Sequence, residues 1–83
     1  MTRILFFGRV SDAAGCGAMN ADLPDDVRTV GELRAWLAAR DGTLAGMIHS
    51  AAVRAAVDHT ISHDDVSIIG AREIAFMSPM SGG

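Results

Sequence analysis

Lysine and tyrosine are absent from the 83 residues, and cysteine occurs once, as Cys16. Without lysine there is no P-loop, no Schiff-base amine and no side chain through which copies of this chain could join into isopeptide chains. A single thiol closes no internal disulfide and builds no cysteine-rich zinc site, which makes a reducing cytoplasm the expected compartment. Long apolar runs are missing as well. Met1-Thr2-Arg3-Ile4-Leu5-Phe6-Phe7 meets Gly8-Arg9 too soon for a signal peptide or a membrane span. Seven arginines against ten acidic side chains leave a net charge of −3. Phosphate binding needs a basic face, so neither nucleic acid nor membrane is an expected partner. A chain of this size buries only about 60% of its unfolded surface, enough for one modest core and no sizeable internal cleft.

What is present reads as alternating short elements. Arg3 to Gly8 is an apolar run with two phenylalanines, a strand covered on both faces. A short helical turn follows and stops at Gly15. Met19, Ala21 and Leu23 alternate with Asn20 and Asp22 as an edge strand, ended by Pro24-Asp25-Asp26. Thr29-Val30-Gly31-Glu32 is a capping box, with Val30, Leu33 and Leu37 on one stripe of a helix that runs to Arg40. Leu44, Met47 and Ile48 keep helical spacing for a turn or two. Val53, Ala55 and Val57 alternate as a strand, His59 to Asp65 is polar loop with room for a short strand at its start, and Val66 to Ile69 is apolar. Gly70-Ala71-Arg72 turns into a last strand, Glu73 to Met77, which Pro79 stops. The first and last strands are the most apolar and belong side by side in mid-sheet. The expected fold is a two-layer α+β roll of β-grasp type, a mixed sheet on one main helix. Its domain spans 1–79, with 80–83 as a flexible tail.

Catalytic machinery is sparse. His59 and His63 are four apart beside Asp64-Asp65, but the segment does not read as a helix and no third ligand is placed to help, so no metal site is expected. His49 reads as structural. Cys16 between two glycines has no neighbouring base, and Asp25-Asp26 reads as a solvated turn. The C-terminus is different: Met80-Ser81-Gly82-Gly83 follows Pro79 and can extend roughly 13 Å. Two residues without side chains make it thin enough to thread a narrow channel. Those are the properties of a carrier arm. Its carboxylate becomes reactive once another protein adenylates it, and a persulfide sulfur can then displace AMP on the way to a thiocarboxylate.

Arg3-Ile4-Leu5-Phe6-Phe7-Gly8-Arg9-Val10, Thr29-Val30-Gly31-Glu32-Leu33, Ala55-Ala56-Val57-Asp58 and the closing Glu73-Ile74-Ala75-Phe76-Met77-Ser78-Pro79-Met80-Ser81-Gly82-Gly83 resemble the small subunits of molybdopterin synthase, the MoaD family. The resemblance runs the full length. It implies a ubiquitin-like β-grasp fold. It further implies a Gly83 thiocarboxylate that gives sulfur to cyclic pyranopterin monophosphate inside the large subunit, within a heterotetramer. Recharging would fall to an ubiquitin-activating-type adenylyltransferase using ATP and a sulfur donor system, with no cofactor bound tightly by this chain. On the same resemblance Gly82, Ser81 and Met80 form the threading tail, and Phe7, Ile61, Met77 and Pro79 serve partner docking. If Ile74 and Phe76 face the helix, Met77 faces outward, as an interface row would. Gly70-Ala71-Arg72-Glu73 replaces the family's usual Asp-Gly-Asp-Glu turn, Ser78-Pro79 replaces its Pro-Pro pair, and Ser11 stands where a basic residue is common. The alternatives are a sulfur carrier for thiamin or amino-acid synthesis, a ubiquitin-like protein modifier, and a plain binding module.

Overall fold

The computed structural model describes residues 1–78. Five strands, β1 (Thr2–Phe7), β2 (Ala18–Ala21), β3 (Arg54–Val57), β4 (Thr60–Ser62) and β5 (Glu73–Met77), form one sheet in the order β2-β1-β5-β3-β4. β1 and β5 pair in parallel, Ile4 opposite Ile74 and Phe6 opposite Phe76, and the other three pairings are antiparallel. The two most apolar strands therefore adjoin in the interior of the sheet, as their composition requires. The arrangement is a ubiquitin-like β-grasp.

Three helices, α1 (Arg9–Ala14), α2 (Val30–Arg40) and α3 (Gly42–Ala45), complete the structure. α2 begins at its capping box. The Glu32 amide donates to Thr29 Oγ1 at 3.2 Å, and the Glu32 carboxylate accepts from the Arg28 amide at 2.9 Å, one residue before the usual reciprocal partner. The loop that follows β4 supplies further acceptors for this helix start: Val30 and Gly31 amides donate to the Val66 and Asp64 carbonyls at 3.1 and 2.9 Å. Asp41 ends α2 and starts α3, its carboxylate accepting from Thr43 and Leu44 amides at 2.9 and 3.2 Å. Gly15 ends α1 in the left-handed conformation, φ 77°, where a side chain would be strained.

The core is the buried side of this sheet. Ile4, Phe6, Ile74 and Phe76 meet Val30, Leu33 and Leu37 of α2 together with Val10, Leu44 and Ile48. Phe6 and Phe76 stack with ring centroids 6.4 Å apart. Two boundaries depart from expectation. β2 ends at Ala21, and Leu23 packs on the core from outside the strand. β3 begins at Arg54, with Val53 buried just before it. Val66 to Ile69 makes a single bridge, Ser67 to Thr29, and only Ile68 of its three apolar residues is buried, because the segment caps α2 instead of joining the sheet. Among the described residues, no helix is long and apolar enough to cross a membrane.

Candidate functional site: the open sheet face

Strand alternation sends Ile4, Phe6, Ile74 and Phe76 to α2, so their neighbours Arg3, Leu5, Phe7, Glu73, Ala75 and Met77 occupy the opposite face, which no helix covers. Register extends this face sideways. Ala56 lies opposite Ala75 and Ile61 opposite Ala56, while Arg54 lies opposite Met77. The face is divided by polarity along the strands. Where β1 and β5 begin, Arg3 lies opposite Glu73 and Asn20 opposite Arg3. Where they end, Phe7, 49% exposed, lies opposite Met77, and Ile61, 59% exposed, stands one row in, level with Ala75. Arg54, Ile61, Met77 and Ser78 line one shallow depression of about 390 Å³. An exposed aromatic and an exposed isoleucine sharing one patch with a half-buried methionine are what a partner surface requires.

Of the residues expected to dock a partner, Phe7 and Met77 are thus brought to one end of one face, and Ile61 stands one row in, level with Ala75, on the same depression as Met77. Pro79, and the tail residues Met80, Ser81, Gly82 and Gly83, lie outside the described residues. Parallel pairing means that β1 and β5 leave the sheet at this same end. Gly8, directly after β1, has φ 65° and opens α1, and the Arg9 amide donates to Ser78 Oγ at 2.8 Å.

The polar candidates disperse. His59 and His63 flank β4, one at each end, roughly 13 Å apart at strand rise, so they share no ligand position. His59 Nε2 lies 3.2 Å from the Glu73 carboxylate, and Asp64 pairs with Arg34 at 2.9 Å. Among the described residues no group of three or more His, Cys, Asp or Glu side chains could hold a metal. Cys16 is exposed beside a small apolar hollow lined by Phe6, Met19, Leu37 and Leu44. His49 is exposed rather than buried.

Two residues that hold the frame were not singled out by sequence. Arg34 is 6% exposed; its guanidinium donates to the Ile48 and Val53 carbonyls and lies 5.5 Å from the Phe76 ring centroid. Its signal was available, since position 34 falls on the apolar stripe of α2, four after Val30 and three before Leu37. Asp58 turns β3 into β4 with His59, at φ 46° and 74°, and its carboxylate accepts from the Arg72 and Glu73 amides at 3.0 and 2.9 Å. That contact ties the hairpin to the start of β5.

Comparison with known proteins joins this geometry to a family. The sequence profile of the ThiS family matches residues 4–83. The chain belongs to the ThiS family. Within it, the molybdopterin synthase sulfur carrier subunit of Escherichia coli (strain K12) is 31% identical over 83 residues, covering all of both chains. The crystal structure of SAMP1 from Haloferax volcanii superposes with a TM-score of 0.83 at 18% identity, covering 99% of this chain and 98% of that one. A second structure, of H. volcanii small archaeal modifier protein 1, gives 0.74 at 16% identity over 95% and 97%. At those identities the two structures establish the ubiquitin-like fold. Together the matches put the chain among ubiquitin-like sulfur carriers of the MoaD kind, the resemblance expected from its sequence.

Proposed function

We propose that this ThiS-family chain carries sulfur as a thiocarboxylate on Gly83 and delivers it to a pterin precursor of the molybdenum cofactor while docked on a molybdopterin synthase large subunit. The observation that carries this reading is a coincidence of position. The apolar end of the uncovered face, Phe7 and Met77 with Ile61 one row in, is the end at which β5 hands over to Ser78 and the segment that follows it. A partner gripping that patch has the last glycines within reach, since five residues beyond Ser78 span at most about 17 Å.

The chemistry is supplied by partners. An adenylyltransferase converts the Gly83 carboxylate and ATP into the acyl adenylate and pyrophosphate. A persulfide displaces AMP to give an acyl disulfide, and a second thiol cleaves its S–S bond, releasing the thiocarboxylate and leaving a disulfide on the donor side. Attack of that sulfur on a carbon of the precursor, with the C–O bond at that carbon breaking and its oxygen leaving, followed by hydrolysis of the resulting thioester bond, transfers sulfur and restores the carboxylate. The chain itself contributes a carbonyl carbon without side-chain hindrance, a thin arm and a docking face.

Intact-mass and fragment-ion measurement after co-expression with the adenylyltransferase and a sulfur source tests the proposal. Replacement of one oxygen by sulfur, confined to Gly83 and abolished by deleting Gly83, is the expected result. An unmodified carboxylate, with the adenylyltransferase proven active on another carrier, would refute it. Isopeptide adducts on lysines of other proteins would substitute the modifier reading.

A further inference from the structure

We propose that Ser78 is a positioning residue that aims the terminal arm, by clamping its root to the start of α1; the role rests on the sulfur-carrier reading above. Ser78 is the residue directly after β5, and its hydroxyl is held by the start of α1. Its Oγ accepts from the Arg9 amide at 2.8 Å, with the Phe7 carbonyl 3.5 Å away as a long, weak acceptor for the O–H. The clamp requires Gly8. A Cβ built at Gly8 would collide with Ser78 Oγ, and the φ of 65° is itself costly for any side chain. Glycine at 8 therefore makes the space that the hydroxyl at 78 fills. The preceding-proline rule adds a second constraint, because Pro79 restricts Ser78 to extended backbone.

Aim matters more than reach. Releasing Ser78 would lengthen the stretch between the sheet and the last glycine from five residues to six, which lowers effective concentration at a partner's site only about 1.3-fold. What the clamp sets is the point and direction from which the chain leaves Ser78, and so the path by which its last residues enter a partner's channel. Reacting groups lose rate steeply for misplacements of about 1 Å. The hydroxyl clamp also borders the docking depression, so it fixes the arm's direction relative to the surface a partner grips.

The test uses full-length chain, as Ser78→Ala, Ser78→Thr, Gly8→Ala and the Gly8→Ala/Ser78→Ala pair, each loaded as the thiocarboxylate. Single-turnover sulfur transfer to precursor in the large subunit is compared with the dissociation constant for that subunit. Hydrogen exchange of the Arg9 amide is read in the free chain. Ser78→Ala should slow transfer by about fivefold, the population ratio one net hydrogen bond sustains. Its dissociation constant should stay within about twofold, Arg9 should exchange faster by a similar factor, and Ser78→Thr should recover both. Gly8→Ala should cost less in the Ser78→Ala background than alone, because the colliding atom is gone. Wild-type transfer by Ser78→Ala, or a loss confined to docking affinity, overturns the proposal. A wild-type chain that transfers no sulfur overturns the carrier reading, and the positioning role with it, whatever Arg9 exchange shows.

Discussion

Replacing Arg34 by methionine is the sharpest test of how the docking face is supported. The guanidinium bridges α2 to the segment entering β3: it donates to the Ile48 and Val53 carbonyls, pairs through Nε with Asp64, and lies against Phe76. Methionine fills much of the same volume and strands both carbonyls, at about 1–3 kcal/mol each. Loss of the contact with the Phe76 ring adds about 1 kcal/mol. The ion pair adds little, because the Asp64 side chain is 65% exposed and water screens it. The expected cost is about 3–7 kcal/mol, a large share of the roughly 4–12 kcal/mol available to a domain of this length. Asp64→Asn should cost less than about 1 kcal/mol, since it leaves both carbonyl bonds intact. Urea unfolding reads both variants through Trp36, the only tryptophan, whose ring lies 4.5 Å from the Arg40 guanidinium. Coincidence with far-ultraviolet circular dichroism checks two-state behaviour. If Arg34→Met lies within 1 kcal/mol of wild type, or Asp64→Asn matches it, the carbonyl-bridging account is wrong.

Two further expectations concern the face and the hairpin. Phe7→Ala should weaken binding of the large subunit by about 30-fold, the equivalent of burying roughly 2 kcal/mol of aromatic surface, and Ile61→Ala by less, with thermal unfolding of either variant nearly unchanged because both side chains are exposed. Isothermal titration calorimetry measures this, and unchanged affinity in both would remove this face from the docking account. Asp58→Ala should lower stability by about 1–2 kcal/mol in urea, through two backbone amides left to water and a left-handed residue less at ease, while Asp58→Asn should stay close to wild type because asparagine keeps an acceptor and tolerates φ 46°.

The elements legible in the sequence were those with a local chemical signature. Thr29 and Glu32 announce the start of α2, Gly15 the end of α1, and the apolar density of Arg3–Gly8 and Glu73–Met77 their place inside the sheet. Alternation in the last strand assigned Met77 to the uncovered face, and its pairing with Phe7 bears that out. The β3–β4 hairpin was less legible, because its two-residue turn is Asp58-His59, both at positive φ, without the glycine that usually advertises such a turn. Val66 to Ile69 read only as an apolar stretch, and its place was not legible: the segment's backbone is committed to capping α2, so Ile68 alone is drawn inward. Arg34 and Ser78 act through partners 14 to 71 residues away in the chain, and no local pattern encodes such pairings.

The parallel pairing of β1 with β5 has a functional consequence that the other pairings lack. Two parallel strands finish at the same end of a sheet, so whatever follows β1 meets whatever follows β5. Here Gly8 and the start of α1 meet Ser78, and Phe7 meets Met77, while antiparallel β3 contributes its first residue, Arg54, to the same edge. An interior strand that ended in this way would ordinarily need covering, since its last side chains are apolar. Leaving Phe7 and Ile61 exposed sacrifices apolar burial, a sacrifice that makes sense if the surface is buried in a complex. The opposite end of the sheet is closed by Asp58, Glu73 and His59 in polar contacts with one another and with backbone amides. Stability is thus concentrated on the α2 side and at the polar end, and the proposed function leaves docking to the apolar end. Substitutions at Asp58 should therefore change unfolding without touching affinity, and those at Phe7 the reverse.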